Sequence, residues 1–258
     1  MGNNELIALF HKELREDAEV QGYTREKTEH VIRHISKFGE RGFILSSNVN
    51  ENNAREVIKS ELNYFKNLNQ DFEWKVYSYD KPDHLKDILK QEGFTIGDPE
   101  ALMVMKLDDQ HPLLNDGQYP NIKEITDEQG IKELIELEHA IWNESLTELG
   151  ERLWRDKQNN PESVYLYGIY EDGQLVSAAW MYLEKDSSFA SLWGGSTLPL
   201  SRGKGYYSQL LAVRAQKAYE KGHPYLTVDA SPMSRPILEK CGFHCIAYSY
   251  ECQSPKIK

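Results

Sequence analysis

Apolar and polar positions along this chain repeat with two different periods, and the switches between them outline its elements. From residue 121 onward the order is clear. A strand at 121–126 leads into a helix at 127–141, where Ile131, Leu134, Ile135 and Glu138 share a helical spacing, and a second helix covers 145–157. Strands at 164–170 and 175–184 are joined by the turn Glu171-Asp172-Gly173-Gln174. A third strand, Phe189 to Leu198, contains Gly194-Gly195. The stretch from Tyr206 to Lys221 has a helix former at nearly every position and stops at Gly222, with Pro224 just beyond. A strand over Tyr225–Asp229, a short helix and a last strand from Cys245 to Cys252 complete a β-α-α-β-β-β-α-β-α-β series.

The first half predicts two leading helices, 3–20 and 24–38, then strand 42–49, helix 53–68, strand 73–79, helix 83–92 and strand 101–107. Residues 108–120, with two prolines, a glycine and acidic pairs, break all periodicity. Domains are therefore expected at 1–110 and 121–258, with a linker at 111–120. The last five elements of the first half repeat the second half of the other domain. Leu89-Lys90-Gln91-Glu92-Gly93-Phe94 stands opposite Leu238-Glu239-Lys240-Cys241-Gly242-Phe243, an internal repeat of ~150 residues.

The residues that carry chemistry begin at Ser201-Arg202-Gly203-Lys204-Gly205-Tyr206, between a strand and a helix N-terminus. The first N–H groups of a helix have no internal partners, its dipole favours negative charge there, and glycine lets a ligand approach the backbone. Arg202 and Lys204 add formal charge, so a diphosphate is the expected guest. The corresponding loop of the first half, Val49-Asn50-Glu51-Asn52-Asn53, has no glycine or basic residue and carries Glu51 instead, which predicts that it binds no diphosphate.

The loop, its following strand and the Lys240-Cys241-Gly242-Phe243 segment resemble the GNAT superfamily of acyl-CoA-dependent N-acetyltransferases, and the element order extends the resemblance over 121–258. The fold it implies is α/β, an α+β mixed sheet, with a GNAT-like C-terminal domain and a smaller, degenerate GNAT-like N-terminal domain acting as scaffold or substrate wall. It implies acetyl-CoA as co-substrate and no metal. Cofactor contacts would come from Arg202, Gly203, Lys204, Gly205, Tyr206 and Tyr207 at the loop, and from Ser196, Thr197 and Leu198 pairing with the pantetheine arm. Ser231 stands where an asparagine often faces that arm. Two departures matter. Tyr207 fills a position usually kept small, and Leu238 stands where many members carry the tyrosine that protonates the leaving thiolate. Tyr248 and Tyr250 are candidate replacements, or else packing residues. Asp229 is the first candidate for the base, or alternatively a turn cap, with Glu144 and Glu148 next. Gly194-Gly195 reads as a bulge or as a simple kink for strand twist. One of Trp142, Trp154, Trp180 and Trp193 is expected to face a cationic amine.

The remaining composition narrows the partners. A net charge of −11 argues against nucleic acid and favours cationic partners. The longest apolar runs fall short of the ~18 residues of a membrane helix, and no signal-peptide pattern opens the sequence. Cys241, Cys245 and Cys252, an odd count, fit a reducing cytoplasm and buried thiols rather than metal ligands. The leading reading is an N-acetyltransferase acting on a small-molecule or peptide amine. The alternatives are an acetyl-CoA-binding regulatory module without turnover, and an aminoacyl-transferring relative that the acidic charge disfavours.

Overall fold

The computed structural model describes residues 2–115, 117, 119–143 and 145–257. Helix α1 (Asn3–His11) widens into a π-turn at Lys12–Glu16 and ends there. The second expected helix, 24–38, is a β-hairpin instead, formed by β1 (Tyr23–Lys27) and β2 (Val31–Ser36). Val31, Ile32 and Ile35 fit a helical spacing as well as a strand, and the turn chemistry decides between them. The Thr28 hydroxyl accepts from the N–H groups of His30 and Val31, which reverses the chain. The reversal sets Glu26 opposite Arg33, whose guanidinium pairs with both Glu26 and the buried Glu61.

Strand β3 (Gly42–Ser47), helix α2 (Ala54–Asn67) and strand β4 (Phe72–Tyr77) then form a right-sized parallel crossover, with Gly42–Ile44 in register with Phe72–Trp74. Helix α2 buries Ala54, Val57, Ile58, Glu61 and Phe65, the stripe that a 3.6-residue period predicts. Helix α3 (Leu85–Gln91), a short β5 (Thr95–Ile96) and β6 (Glu100–Lys106) follow.

A one-turn helix α4 (Pro112–Asn115) precedes β7 (Ile122–Ile125), α5 (Glu128–Trp142) and α6 (Thr147–Asn159). Asp127 caps α5 by accepting from the Gly130 N–H at 2.8 Å. Strands β8 (Val164–Glu171), β9 (Gln174–Leu183) and β10 (Phe189–Thr197) form an antiparallel meander. Asp172 and Gly173 both have positive φ, as a two-residue hairpin turn requires. Helix α7 (Tyr206–Glu220) crosses over to β11 (Tyr225–Ala230), which is followed by α8 (Arg235–Lys240) and β12 (His244–Gln253).

The chain forms two compact units, Met1–Val104 with Asp229–Lys258, and Met105–Val228. In the second, the strand order is β11-β10-β9-β8-β7; in the first it is β1-β2-β3-β4-β12-β6, with β5 also on β12. The strand expected to end the C-terminal domain thus lies in the first unit, antiparallel to both β4 and β6. Its alternation explains the placement. Cys252, with Tyr250 packed alongside, joins a core of Ile44, Ile58, Phe65, Phe72, Trp74, Leu89 and Phe94. The repeat is geometric as well as sequential. Helices α3 and α8 end alike, with Gly93 and Gly242 at positive φ and with buried Phe94 and Phe243 donating to the carbonyls of Leu89 and Leu238.

Candidate functional site

In the second unit, the glycine loop opens α7 as expected. Gly203 and Gly205 both sit at φ +79°, a left-handed conformation that side chains rarely adopt. A Cβ at Gly203 would meet nothing within 4 Å, and one at Gly205 only the tip of Gln209. The glycines are therefore required by backbone geometry, and the space before the helix N-terminus is open to a ligand. No side chain caps α7. At α2, the matching helix of the first unit, no side chain caps the first turn either, and the asparagines of the preceding loop bond among themselves, Asn50 Oδ1 accepting from the N–H groups of Asn52 and Asn53 and Asn53 Oδ1 from that of Asn50.

Glu171, at the end of β8, draws the loop together. Its carboxylate accepts from Lys204 Nζ at 2.7 Å, from Ser201 Oγ at 3.2 Å and from the Tyr206 hydroxyl. The Lys204 contact, followed by that of Tyr206, holds this carboxyl below its ordinary range. Arg202 Nε donates to the Thr197 carbonyl at 3.1 Å, with the side chain otherwise exposed.

Strand β10 carries a bulge at the glycine pair. The register with β9 shifts between Gly194, opposite Ala179, and Ser196, opposite Ala178, so Gly195 is the extra residue. A Cβ on Gly194 would lie 2.4 Å from the Trp180 ring, and one on Gly195 2.7 Å from the Tyr207 ring. Tyr207, the departure from the family pattern, thus packs where the bulge has no side chain. Buried donors take the carbonyls on either side: Arg214 Nη1 reaches those of Trp180 and Trp193, and Ser177 Oγ that of Ser196. Parallel pairing between β10 and β11 covers only Phe189–Ser191 with Tyr225–Thr227 and then stops, so the bulge and Ser196–Thr197 lie beyond the last pair.

Beside the bulge stands a group that the residue pattern placed only on a helix stripe. Glu138 of α5 is 4% exposed, although its neighbours on the inward face are Ile131, Leu134 and Leu137. Its Oε2 accepts from Ser196 Oγ and from Trp142 Nε1, each at 2.9 Å. Its Oε1 is buried without a hydrogen-bond partner among the described residues. Burial pushes this carboxyl upward, and the Ser196 and Trp142 hydrogen bonds partly offset that. The signal available in the sequence was a carboxylate at a core position of an amphipathic helix.

Asp229, Ser231, Leu238, Tyr248 and Tyr250 fall in the first unit. Asp229 is ion-paired with Lys75 at 3.0 Å and accepts from Ser249 Oγ at 2.9 Å. Ser231 Oγ accepts from the Ser234 N–H in the turn before α8. The exposed Tyr248 hydroxyl accepts from Arg235 Nη1 at 2.8 Å, whereas the Tyr250 ring packs on the core beneath Lys86 Nζ. Leu238 is fully buried. Glu148 is exposed, and Glu144 lies outside the described residues. Of the four tryptophans, Trp142 and Trp193 are exposed, Trp180 is buried, and Trp154 packs on the core edge. Among the described residues, no three His, Cys, Asp or Glu side chains gather as a metal site, and no helix is long and apolar enough to cross a membrane.

Residues 131–243 match the model of the Acetyltransferase (GNAT) family. Over these residues the chain carries a GNAT acetyltransferase domain, which supports a transferase enzyme. Solved structures extend the likeness in fold to nearly its whole length. A GCN5-related N-acetyltransferase from Kribbella flavida is 15% identical, with a TM-score of 0.67 over 97% of this chain and 95% of that one. A functionally unknown conserved protein from Staphylococcus epidermidis is 11% identical, with a TM-score of 0.67 over 93% and 96%. A tandem GNAT protein from the clavulanic acid biosynthesis pathway is 11% identical, with a TM-score of 0.60 over 92% and 85%. No curated protein matches the chain. At such identities these structures speak for the fold alone, a mixed α/β architecture of the GNAT type.

Proposed function

We propose that this protein moves an acetyl group from acetyl-CoA to a primary amine, of a small molecule or a peptide, by direct attack in a ternary complex. The observation that carries the reading is the α7 N-terminus, opened by two left-handed glycines with free space before them and flanked by Arg202 and Lys204. A diphosphate there would take the N–H groups that no side chain caps. The β10 segment Ser196–Leu198, past the last pair with β11, suits an extended pantetheine arm running beside it as an added strand. A backbone N–H near the bulge would polarise the thioester carbonyl where negative charge develops.

The leaving thiolate needs a proton, and Leu238 has none to give. That proton is then taken from the attacking amine, through water. Asp229 is a weaker base candidate than the sequence implies, since Lys75 already matches its charge. The first unit is assigned no CoA, because the loop before α2 has no glycine or basic residue and carries Glu51 where a diphosphate would sit.

Calorimetric titration with acetyl-CoA tests the reading. One molecule should bind per chain, and Gly205→Glu, which sets a carboxylate against the diphosphate, should abolish binding. Unchanged affinity in that variant would sink the assignment, and a stoichiometry of two would overturn the reading of the first unit. Binding without thiol release from any amine would identify a sensor of acetyl-CoA.

A further inference from the structure

An acceptor amine is protonated near neutral pH, and an ammonium cannot attack a thioester until it gives up a proton. One carboxylate in the second unit is arranged to take it. Glu138 occupies a core position on α5, where a leucine would pack with Ile131, Leu134 and Leu137 at no electrostatic cost. Among the described residues, no lysine or arginine is a hydrogen-bond or ion-pair partner of it, so ionising it in place is unfavourable. Its two hydrogen bonds converge on Oε2 and fix the rotamer, while Oε1 is left without a partner. One of those donors, Ser196, is the first residue after the Gly195 bulge and only 6% exposed. The other, Trp142, is 57% exposed and meets the carboxylate at its ring edge, through the indole N–H. Packing gives no reason for such a group, whereas proton transfer does.

Resting on the acetyl-transfer reading above, we infer that Glu138 is the proton acceptor of the reaction, and that Glu138 and Trp142 together form the subsite for a protonated primary amine. The ammonium would sit against the exposed indole and give one proton to the Glu138 carboxylate, directly or through a water. Its freed lone pair then forms the C–N bond to the thioester carbonyl. The C–S bonding pair leaves with sulfur, and the second nitrogen proton ends on the thiolate. Glu138 returns its proton to solvent, so each cycle converts ammonium and thioester to amide, thiol and one released proton.

The test uses the full chain, acetyl-CoA, and a mixture of benzylamine, tyramine, spermidine and glycinamide, with thiol release as the readout. Glu138→Gln keeps an acceptor for Ser196 and Trp142 but removes the basicity. It should bind acetyl-CoA with unchanged calorimetric affinity, turn over about 10²–10⁴-fold more slowly at pH 7, and lose the acid limb of its pH profile. Glu138→Asp should recover part of the rate. Turnover within threefold of wild type in Glu138→Gln, with the acid limb retained, overturns the inference. So does wild-type protein that binds acetyl-CoA yet releases no thiol with any of the four amines. Absence of acetyl-CoA binding to wild type is a different outcome, and fails the underlying reading instead. If Glu138→Gln does not fold, Ser196→Ala carries the test. Removing a donor to the carboxylate should move the acid limb of kcat/KM to higher pH, and an unmoved limb refutes the assignment.

Discussion

The bulge at Gly195 offers the most quantitative check on how this site is built. Gly195→Ala adds one methyl group at φ +89°, where its Cβ would lie 2.7 Å from Tyr207 Cε2 and 3.3 Å from Cδ2. Two separate costs follow. Holding an L-residue in the left-handed region costs roughly 1–2 kcal/mol. Forcing the Tyr207 ring away from its contact is an overpacking change, typically about 1–3 kcal/mol. Together they predict a loss of roughly 2–5 kcal/mol in urea unfolding. The two costs separate in a double-mutant cycle, because Tyr207→Ala removes the clash but leaves the backbone strain. In that background Gly195→Ala should cost only about 1–2 kcal/mol, a coupling of roughly 1–3 kcal/mol. Acetyl-CoA affinity of the single variant should fall at least ~10-fold, since the bulge sets the position of Ser196–Leu198. Stability within about 0.5 kcal/mol of wild type, or an equal cost in both backgrounds, would refute the packing of Tyr207 onto the bulge.

Other expectations rest on separate parts of the molecule. Glu171→Gln removes a negative charge that now engages Lys204, so acetyl-CoA should bind about two- to fivefold more tightly at low salt, and weaker binding would contradict this. Burial first, then the nearby Glu251, pushes the Glu73 carboxyl up to about 7 against the pull of Lys75. The fold therefore favours its neutral form, and stability is lost as pH rises from the ordinary carboxylate range through about 7. Glu73→Gln should accordingly be more stable than wild type by on the order of 2 kcal/mol at pH 8 and equal to it at pH 4, as read by paired melting curves.

The sequence determined what local chemistry can determine. The strand–glycine loop–helix unit at 201–206 was legible because two glycines, two cations and an uncapped helix start sit within six residues. The meander, the crossover helix and the matching Gly-Phe turns were legible for the same reason, since each element carries its own period and its own stop signal. The resemblance between the halves followed from the shared order of five elements and from Leu89–Phe94 standing opposite Leu238–Phe243. Residues 24–38 mark the limit. Val31, Ile32 and Ile35 satisfy a helix and a strand equally, and only the Thr28 turn and the Arg33–Glu61 pair with α2 resolve the choice. Tertiary structure decided three further matters that sequence neighbours cannot express. Strand β12 pairs with β4 and β6, where Cys252 joins the core of the first unit. Asp229 meets Lys75 across more than a hundred residues, which turns a free carboxylate into an ion pair. Glu138 and Ser196, 58 positions apart, meet only once α5 lies against β10, and that packing buries a carboxylate beside the bulge. A period reports which face of an element turns inward; the charge, partner and solvent that a side chain finds there depend on the other elements brought against it.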